Sequence, residues 1–303
     1  MTQTSKSNSR GVLMFAHNNE EIDYFKLAFV NALLIQSHLQ LSADQITVVT
    51  DSNTLNYATE ILGDKIPQAI GNIIINEKDI AFKHSNQRIY KDTSHHSTTL
   101  PFYNKNRGDA YDLSPYDETL LIDADYLILS DALSLCWDHN NDIMMNCDYY
   151  DVMASRRVKP QKKLNPLGIS MYWATVVYFK KTPYAKTLFD IVKHVREKRT
   201  YYSNLYQWTG NLYRNDYSFS IAAHMVGGFK NKPIPQLPVK LYKTFDYDDI
   251  FTVDDDLSIL FWLEKLQSPG DFILTRWKGV DVHIMNKWAL NRISDKLLSV
   301  LDE

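Results

Sequence analysis

The amino-acid sequence predicts an α/β protein with a mostly parallel central sheet flanked by helices. Three observations predict this fold class. Short apolar runs rich in β-branched residues alternate with segments whose apolar residues recur every three to four positions. The first two of these runs end on polar residues, as strands do when their carboxyl ends border a ligand site. The chain has 303 residues, of which 45% are hydrophobic and 23% charged, so a globular protein with a substantial core is expected.

The first 76 residues supply an alternating strand and helix pattern. We predict strands over residues 11–16, 46–50 and 72–76, and helices over residues 20–39 and 55–62. Glu20, Glu21 and Asp23 are expected in the first turn of the first helix, where the helix dipole favours carboxylates. Such alternation implies parallel strands joined by helices that cover the sheet. The polar stretch 77–106 shows no period and is predicted to be a long ordered loop.

The rest of the chain alternates less regularly. We predict strands over residues 119–123, 143–147 and 170–179, and helices over residues 184–198, 216–226 and 254–266, followed by a terminal helix. The aspartates at 254–256 are expected to form the acidic amino end of their helix. No repeat or linker divides the chain, so we expect one extended domain. Its parts are a disordered polar tail at 1–10, a substrate-binding domain at 11–230, and a helical C-terminal extension at 231–303 that completes the active site.

Charge and cysteine content exclude several classes of protein. Lys and Arg number 33 against 36 Asp and Glu, so the formal charge of −3 excludes a generally basic nucleic-acid binder. Cys136 and Cys147 are too few to staple a chain of this size, which predicts a reducing, cytoplasmic location without disulfides. The apolar run at 169–179 is shorter than the roughly 20 residues that span a bilayer, so no membrane span is expected.

The most informative segment is the run of residues 116–130, YDETLLIDADYLILS. An apolar strand delivers two carboxylates, Asp123 and Asp125, at its carboxyl end. Residues two apart in an extended strand share a face, so both carboxylates can face one ligand. Carboxylate oxygens together with substrate phosphates suit Mg²⁺ or Mn²⁺. The pair predicts a metal site for a diphosphate, with a chance pair of surface aspartates as the alternative.

The order of motifs around this pair resembles the GT-A glycosyltransferases. Within them it is most similar to glycosyltransferase family 8, the glycogenin and lipopolysaccharide galactosyltransferase-like family. Arg107 lies sixteen residues before Asp123, where that family places a basic residue. Asp216 matches the aspartate of its D-Q motif without the glutamine. His283 and Lys287 match its C-terminal His and Lys motif, with a spacing of four residues instead of six.

The resemblance implies a GT-A fold and a metal-dependent hexosyl- or pentosyltransferase that uses a nucleotide-diphosphate sugar, most of all a UDP-sugar, with retention of configuration. It implies that Mn²⁺ or Mg²⁺ is held by Asp123, Asp125 and His283. It implies donor binding by Ala16, His17, Asn18, Asp51, Arg107, Ala124 and Lys287, and catalysis by Asp216, Asp125 and Arg107. The alternatives are a core histidine at 283, a helix N-cap at 216, and strand-end capping at 16–18 and 51.

The prediction of the acceptor rests on an uneven distribution of charge along the chain, which the small net charge of the whole sequence conceals. Residues 152–199 carry a net charge of +10 and the remainder of the chain carries −13, with aromatic residues in and after the basic segment. The residues expected to bind the acceptor are Arg156, Arg157, Lys159, Trp173 and Thr175. One hypothesis is a saccharide or lipopolysaccharide-type acceptor. The alternative is a polyanion such as phage DNA with hydroxylated bases, modified in the host cytoplasm.

Two other classes of protein stay open at this stage. A nucleotidyltransferase would share the nucleotide-binding fold and the metal carboxylates. It normally has a Gly-rich loop where this chain has HNNE at residues 17–20. A non-catalytic sugar-binding protein could use the aromatic residues, but it would not need Asp123, Asp125, His283 and Arg107 together. The oligomeric state is left open.

Overall fold

A computed structural model describes residues 9–77, 86–103, 105–156, 163–165, 168–208, 212–266, 268 and 270–301. The strands in these ranges are β1 (Arg10–Phe15), β2 (Ile46–Thr50), β3 (Asn72–Ile75), β4 (Gln87–Lys91), β5 (Ser97–Pro101), β6 (Glu118–Asp123), β7 (Tyr126–Leu127), β8 (Ile143–Asn146), β9 (Tyr150–Asp151), β10 (Trp173–Lys180), β11 (Tyr242–Lys243), β12 (Asp249–Val253), β13 (Ile259–Glu264), β14 (Phe272–Trp277) and β15 (Val282–His283). The α-helices are α1 (Tyr24–Leu39), α2 (Ser52–Leu62), α3 (Ile66–Ala69), α4 (Ala110–Leu113), α5 (Pro183–Glu197), α6 (Arg199–Tyr206), α7 (Asn215–Val226) and α8 (Lys287–Leu301). In this part of the chain, no helix combines the length and the apolar character needed to cross a bilayer.

Six strands form the central sheet in the order β3-β2-β1-β6-β10-β8. The first four are parallel, whereas β10 runs antiparallel to both β6 and β8. Successive residues of a strand point to opposite faces. In β1, Val12 and Met14 therefore pack into one core with α1, while Leu13 and Phe15 pack into another with α5 and α7. Helices cover both faces of the sheet, and the predicted α/β fold class is confirmed.

Three local predictions in the first half need correction. The sequence predicts a tail up to residue 10, but β1 begins at Arg10. The first helix begins at Tyr24 because the side chain of Asp23 caps it, accepting a hydrogen bond from the backbone of Lys26, so the preceding glutamates lie in a loop. The stretch predicted to be a loop contains the antiparallel hairpin β4-β5. Its strands are largely exposed, so they lack the apolar period that sequence reasoning detects.

The prediction of a helix over residues 254–266 is wrong. These residues contribute to a three-stranded antiparallel sheet with the order β12-β13-β14. The aspartates at 254–256 lie in the turn between β12 and β13, where Leu257 adopts a φ of 58° and donates to the carbonyl of Asp254. In β13, Ile259, Phe261 and Leu263 are fully buried and alternate with more exposed residues, a period of two that the dense apolar run conceals. The C-terminal extension thus combines this sheet with α8.

A second sheet, β7-β15-β11-β9, joins the end of β6 to the C-terminal part of the chain. β7 follows Asp125 directly, and its Tyr126 pairs with His283 of β15. The buried side chain of Asn31 on α1 fixes β7, because it donates to the carbonyl of Tyr126 and accepts from the backbone N–H of Ile128. Residues far apart in sequence therefore meet at the carboxyl end of β6.

Candidate active site

The candidate site lies at the carboxyl ends of β1, β2 and β6. Phe15 of β1 pairs with Val49 of β2 on one side and with Asp123 of β6 on the other. The chain proceeds from β1 to β2 and β3 on one side and later returns to add β6 on the other. In parallel α/β sheets, ligands bind where the strand order reverses in this way. Residues 16–18, 51 and 123–125 all leave the sheet at this edge.

Asp123, Asp125 and His283 form a cluster whose ligand atoms all lie within 4.8 Å of one another. Nε2 of His283 lies 3.0 Å from Oδ1 of Asp125 and 3.9 Å from Oδ2 of Asp123. Neighbouring ligands of an octahedral ion at 2.0–2.1 Å lie about 3 Å apart, so the three side chains fit a divalent cation such as Mg²⁺ or Mn²⁺. The backbone fixes the arrangement, because the N–H of Ile284 donates to the carbonyl of Asp125 at 3.0 Å.

Two cations flank this cluster. Arg107 lies 2.7 Å from Oδ1 of Asp123, and Nζ of Lys287 contacts Oδ2 of Asp125. Burial raises the pKa of Asp123 above its ordinary value, although Arg107 acts in the opposite direction. Burial also opposes ionisation of Asp125, but Lys287 and His283 outweigh it and hold the pKa of that carboxyl below its ordinary range. Asp125 is therefore a carboxylate, as a metal ligand must be.

Thr175 on β10 lies next to two side chains of this cluster, His283 and Asp123. Its Oγ1 lies 3.3 Å from Nδ1 of His283, and the same hydroxyl acts to lower the pKa of Asp123, which burial raises. The indole N–H of Trp173 donates to the same Oγ1. If Nδ1 of His283 carries the proton and donates to Thr175, Nε2 presents its lone pair to a cation. The sequence predicts that Thr175 binds the acceptor, and this stays a prediction: the residue lines a cavity but is only 3% exposed, and its Oγ1 contacts Trp173 and His283.

Arg107 and Asp216 both brace β10 against the site. The guanidinium of Arg107 donates to the carbonyls of Ala174 and Thr175 at 2.8 and 3.0 Å. Oδ1 of Asp216 accepts from the backbone N–H of Ala174 at 2.9 Å, and Oδ2 pairs with Arg214 at 2.6 Å. Asp216 is the second residue of α7 and Arg214 occupies the N-cap position, so Asp216 is not the helix N-cap.

Three cavities line this edge of the sheet and share walls. The nucleotide-side cavity has a volume of about 460 Å³ and includes Asn18, Asp51 and Tyr57 in its wall. The middle cavity, of about 80 Å³, is lined by His17 and by residues 123–125. The far cavity, of about 320 Å³, reaches from Asp123 and His283 towards β11 and α7. Together they offer an elongated path with the acidic cluster near its middle.

His17 is the strongest donor-side candidate among the residues that follow β1. It is 3% exposed, and neither ring nitrogen has a hydrogen-bond partner. Buried polar groups without partners are uncommon, and this ring lines the middle cavity, where a ligand can supply the missing hydrogen bonds. Ala16 is fully buried and donates to the carbonyl of Val49, while Ala124 lines the same cavity as His17.

The side chains of Asn18 and Asp51 accept hydrogen bonds at the amino ends of helices, as the alternative of strand-end capping predicts. Asn18 accepts from the backbone N–H of Phe25 and donates to Asp23 at the start of α1. Asp51 is the N-cap of α2, accepting from the backbone and the hydroxyl of Thr54. Both residues still line the nucleotide-side cavity, so each shapes its wall while serving as a cap.

Arg156, which the sequence predicts to bind the acceptor, does not line any of the three cavities. The side chain of Arg156 is 1% exposed and pairs with Asp151 at 2.6 Å and with Asp248 at 2.7 Å, so it has no face left for an acceptor. Arg157 and Lys159 lie outside the described residues. Trp173 does line the far cavity.

The basic residues of α5 also turn away from the cavities. Lys186 and Lys193 pair with Asp190, and Arg196 pairs with Asp109. No basic residue of this helix lines any of the three cavities. A polyanionic acceptor such as DNA is therefore not supported by the described part of the basic segment.

Two cations of the far cavity, Arg88 on β4 and Lys243 on β11, were not predicted from the sequence. Burial, with Arg214 and then Arg88 adding repulsion, lowers the pKa of Lys243 to about 8. Lys243 stands in register with His283 of the neighbouring strand, and only a correct pairing of β11 with β15 would have placed it here. No motif marks either residue in the sequence.

Comparison with solved structures finds chains with a similar fold. The galactosyltransferase LgtC, in complex with donor and acceptor sugar analogues, is 12% identical, with 96% of this chain and 95% of that chain covered at a TM-score of 0.49. Mouse xyloside xylosyltransferase 1 is 14% identical, with 73% and 83% covered at 0.39. A putative glucose-1-phosphate thymidylyltransferase from Bacillus anthracis is 8% identical, with 78% and 87% covered at 0.39.

No protein-family model and no curated protein matches the sequence. The similar structures include glycosyltransferases, the class of enzyme that the motifs of this chain resemble. At these identities and TM-scores the activity of those proteins carries no argument for this chain.

Proposed function

We propose that this protein is a metal-dependent glycosyltransferase that moves a sugar from a nucleotide-diphosphate sugar, most of all a UDP-sugar, to a hydroxyl group of a saccharide. The observation that carries the proposal is the cluster of Asp123, Asp125 and His283, because it lies at the switch point of the sheet and between two substrate-sized cavities. Two carboxylates and a histidine at a switch point suit a divalent cation that binds a diphosphate.

The cavities fit the parts of such a donor in order. The nucleoside is assigned to the nucleotide-side cavity beside Asn18 and Asp51, and the diphosphate to the middle cavity beside His17. The transferred sugar and the acceptor then occupy the far cavity, whose wall includes Asp216. In this assignment residues 11–230 hold the donor, and residues 231–303 contribute His283 and Lys287.

The reaction exchanges one bond at the anomeric carbon. The bond to the phosphate oxygen breaks and its electron pair leaves with the nucleoside diphosphate. The acceptor oxygen forms the new bond, and the proton of its hydroxyl passes to the departing phosphate oxygen. Mn²⁺ or Mg²⁺, when bound, supplies positive charge next to the diphosphate. Arg107 adds a fixed positive charge beside Asp123. Its hydrogen bond to the backbone of β10 holds the guanidinium in place, so this group does not have to move during the reaction.

Asp216 is assigned to the reacting sugar. Its carboxylate is held at the wall of the far cavity by Ala174 and Arg214, with its side chain 15% exposed. A fixed carboxylate in this place can stabilise positive charge that develops on the sugar ring. Retention of anomeric configuration belongs to the proposal through the family resemblance, and proton NMR of the first product formed reports the anomer directly.

Release of nucleoside diphosphate from a panel of nucleotide sugars in the presence of Mn²⁺ tests the proposal. We expect one or a few donors to be turned over, and Asp123→Asn to reduce release at least 100-fold. Asp256→Asn is the matched control, because Asp256 is an exposed aspartate on the turn after β12, paired with Lys278. Turnover of no donor, or full turnover by Asp123→Asn, would contradict the proposal.

The same assay separates the other classes of function. A nucleotidyltransferase would instead release pyrophosphate from a nucleoside triphosphate and a sugar phosphate. A non-catalytic sugar-binding protein would bind ligands without any release. We expect neither result, since the proposed reaction needs a diphosphate sugar and forms a nucleoside diphosphate.

A further inference from the structure

The far cavity contains more positive charge than its own carboxylates balance. Its wall includes four cations, which are Arg88, Arg107, Arg214 and Lys243, and two carboxylates, which are Asp123 and Asp216. Arg107 pairs with Asp123, and Arg214 pairs with Asp216. Among the described residues, Arg88 and Lys243 form no ion pair with a carboxylate and are held by aromatic rings instead.

Lys243 stands in an aromatic cage. Its Nζ lies 4.5 Å from the ring centroid of Tyr149, 5.2 Å from that of Trp173 and 5.3 Å from that of Phe245. Ring faces attract a cation but leave it without a counter-ion. Tyr149 and Trp173 themselves line the far cavity, so the cage opens towards the substrate.

Lys243 lies on the acceptor side of the proposed site and not on the donor side. Lys243 lines the far cavity and does not line the middle cavity beside His17 and Asp125, where the diphosphate is assigned. Arg88 lines both cavities and can serve the diphosphate. Arg214 does not line the middle cavity either, but it pairs with Asp216. Among the described residues, Lys243 is therefore the cation of this wall that neither lines the middle cavity nor pairs with a carboxylate.

We propose that Lys243, with Tyr149 and Trp173, forms an acceptor subsite for a saccharide that carries an anionic substituent, a carboxylate or a phosphate. The inference rests on the proposed function for the identity of the acceptor. The sugar ring packs against the aromatic rings, and the anionic substituent takes the ammonium group as its partner. A hydrogen bond to a charged group is strong enough to select acidic over neutral acceptors by about 10- to 100-fold.

Equilibrium binding of glucose, glucuronate and glucose 6-phosphate to the protein loaded with Mn²⁺ and UDP tests the subsite. We expect the wild-type protein to bind at least one acidic probe about 10-fold or more tightly than glucose, and the better of the two acids identifies the substituent. Lys243→Gln should bring the preference close to one. Lys240→Gln is the matched control, because Lys240 is an exposed lysine close by in sequence that lies over Tyr150 and outside the cavity wall. It should keep the preference of the wild type.

The outcomes separate this inference from the proposed function. Equal binding of all three sugars by the wild type, or an unchanged preference in Lys243→Gln, would overturn the subsite even if donor turnover is observed. An acidic preference that Lys243→Gln removes, in a protein that releases no nucleoside diphosphate from any donor, would retain the subsite and refute the transferase. Acceptor-stimulated release with the same preference would support both.

Discussion

Nδ1 of His283 lies 3.3 Å from the hydroxyl oxygen of Thr175, and the same hydroxyl acts to lower the pKa of Asp123, which burial raises. One hydroxyl thus supports two of the three side chains that fit a divalent cation. Groups of this kind fix the tautomer and the direction of a histidine ligand, and their loss typically lowers metal affinity 10- to 100-fold.

We therefore expect Thr175→Val, which keeps the shape of the side chain and removes the hydroxyl, to weaken Mn²⁺ binding about 10- to 100-fold. Thr175→Ser restores the hydroxyl and should retain most of the affinity. Titration calorimetry with Mn²⁺ measures both variants. Equal affinity in the valine variant and the wild type would show that the hydroxyl does not position the ligands.

His17 should show opposite effects on stability and on donor binding. Its ring is buried and its nitrogens are without partners, so an apolar ring of similar size removes an unsatisfied polar group. We expect His17→Phe to leave the free energy of unfolding unchanged or higher, while UDP binding in the presence of Mn²⁺ weakens by about 10-fold or more. Chemical denaturation and calorimetry give the two numbers. Unchanged UDP affinity would place the nucleotide elsewhere.

Arg156 should contribute to stability. It forms two buried ion pairs with Asp151 and Asp248, and removing one partner of a buried pair typically costs about 3–5 kcal/mol. We expect Arg156→Met to lower the free energy of unfolding by about that amount. Lys186→Met, which removes an exposed pair with Asp190, should have a much smaller effect, because solvent screens that pair. Urea denaturation of both variants checks the contrast, and equal effects would contradict it.

Both cysteines should be inert in the folded protein. Burial raises the pKa of Cys136 to about 12 and that of Cys147 to about 11, and each side chain is at most 2% exposed. Because the thiolate is the reactive form, alkylation by iodoacetamide at pH 8 should be slow until the protein is unfolded in urea. Mass spectrometry counts the modified thiols. Rapid modification of either cysteine under native conditions would contradict its place in the core.

The alternation of elements and the pair of carboxylates were predictable because local sequence encodes them. An apolar run followed by Asp123 and Asp125 predicts both a strand and the pair of carboxylates at its carboxyl end. The histidine could be proposed only through the family resemblance, since its approach depends on the pairing of β15 with β7. The helix expected at 254–266 failed because a dense apolar run fits either period, and cross-strand pairing with β12 and β14 decided the outcome.

For the described residues, the net charge of a stretch of sequence did not show where unpaired positive charge lies in the folded protein. The segment 152–199 is strongly basic, yet Arg156 is buried in ion pairs and the basic side chains of α5 pair with carboxylates on the helix and near its surface. Arg88 and Lys243 of the far cavity, which form no ion pair with a carboxylate among the described residues, come from outside that segment. Their convergence depends on the hairpin β4-β5 and on the second sheet, which local sequence does not reveal.

The most direct test of the central claim is the metal dependence of transfer, followed in one preparation with its best donor from the nucleotide-sugar panel. A chelator is added first, and Mn²⁺ is then restored in excess. We expect release of nucleoside diphosphate to fall to the background rate with the chelator and to return with Mn²⁺, and Asp125→Asn to stay at background in both conditions. Undiminished release in the presence of chelator, or full release by Asp125→Asn, would contradict a metal-dependent glycosyltransferase at Asp123, Asp125 and His283.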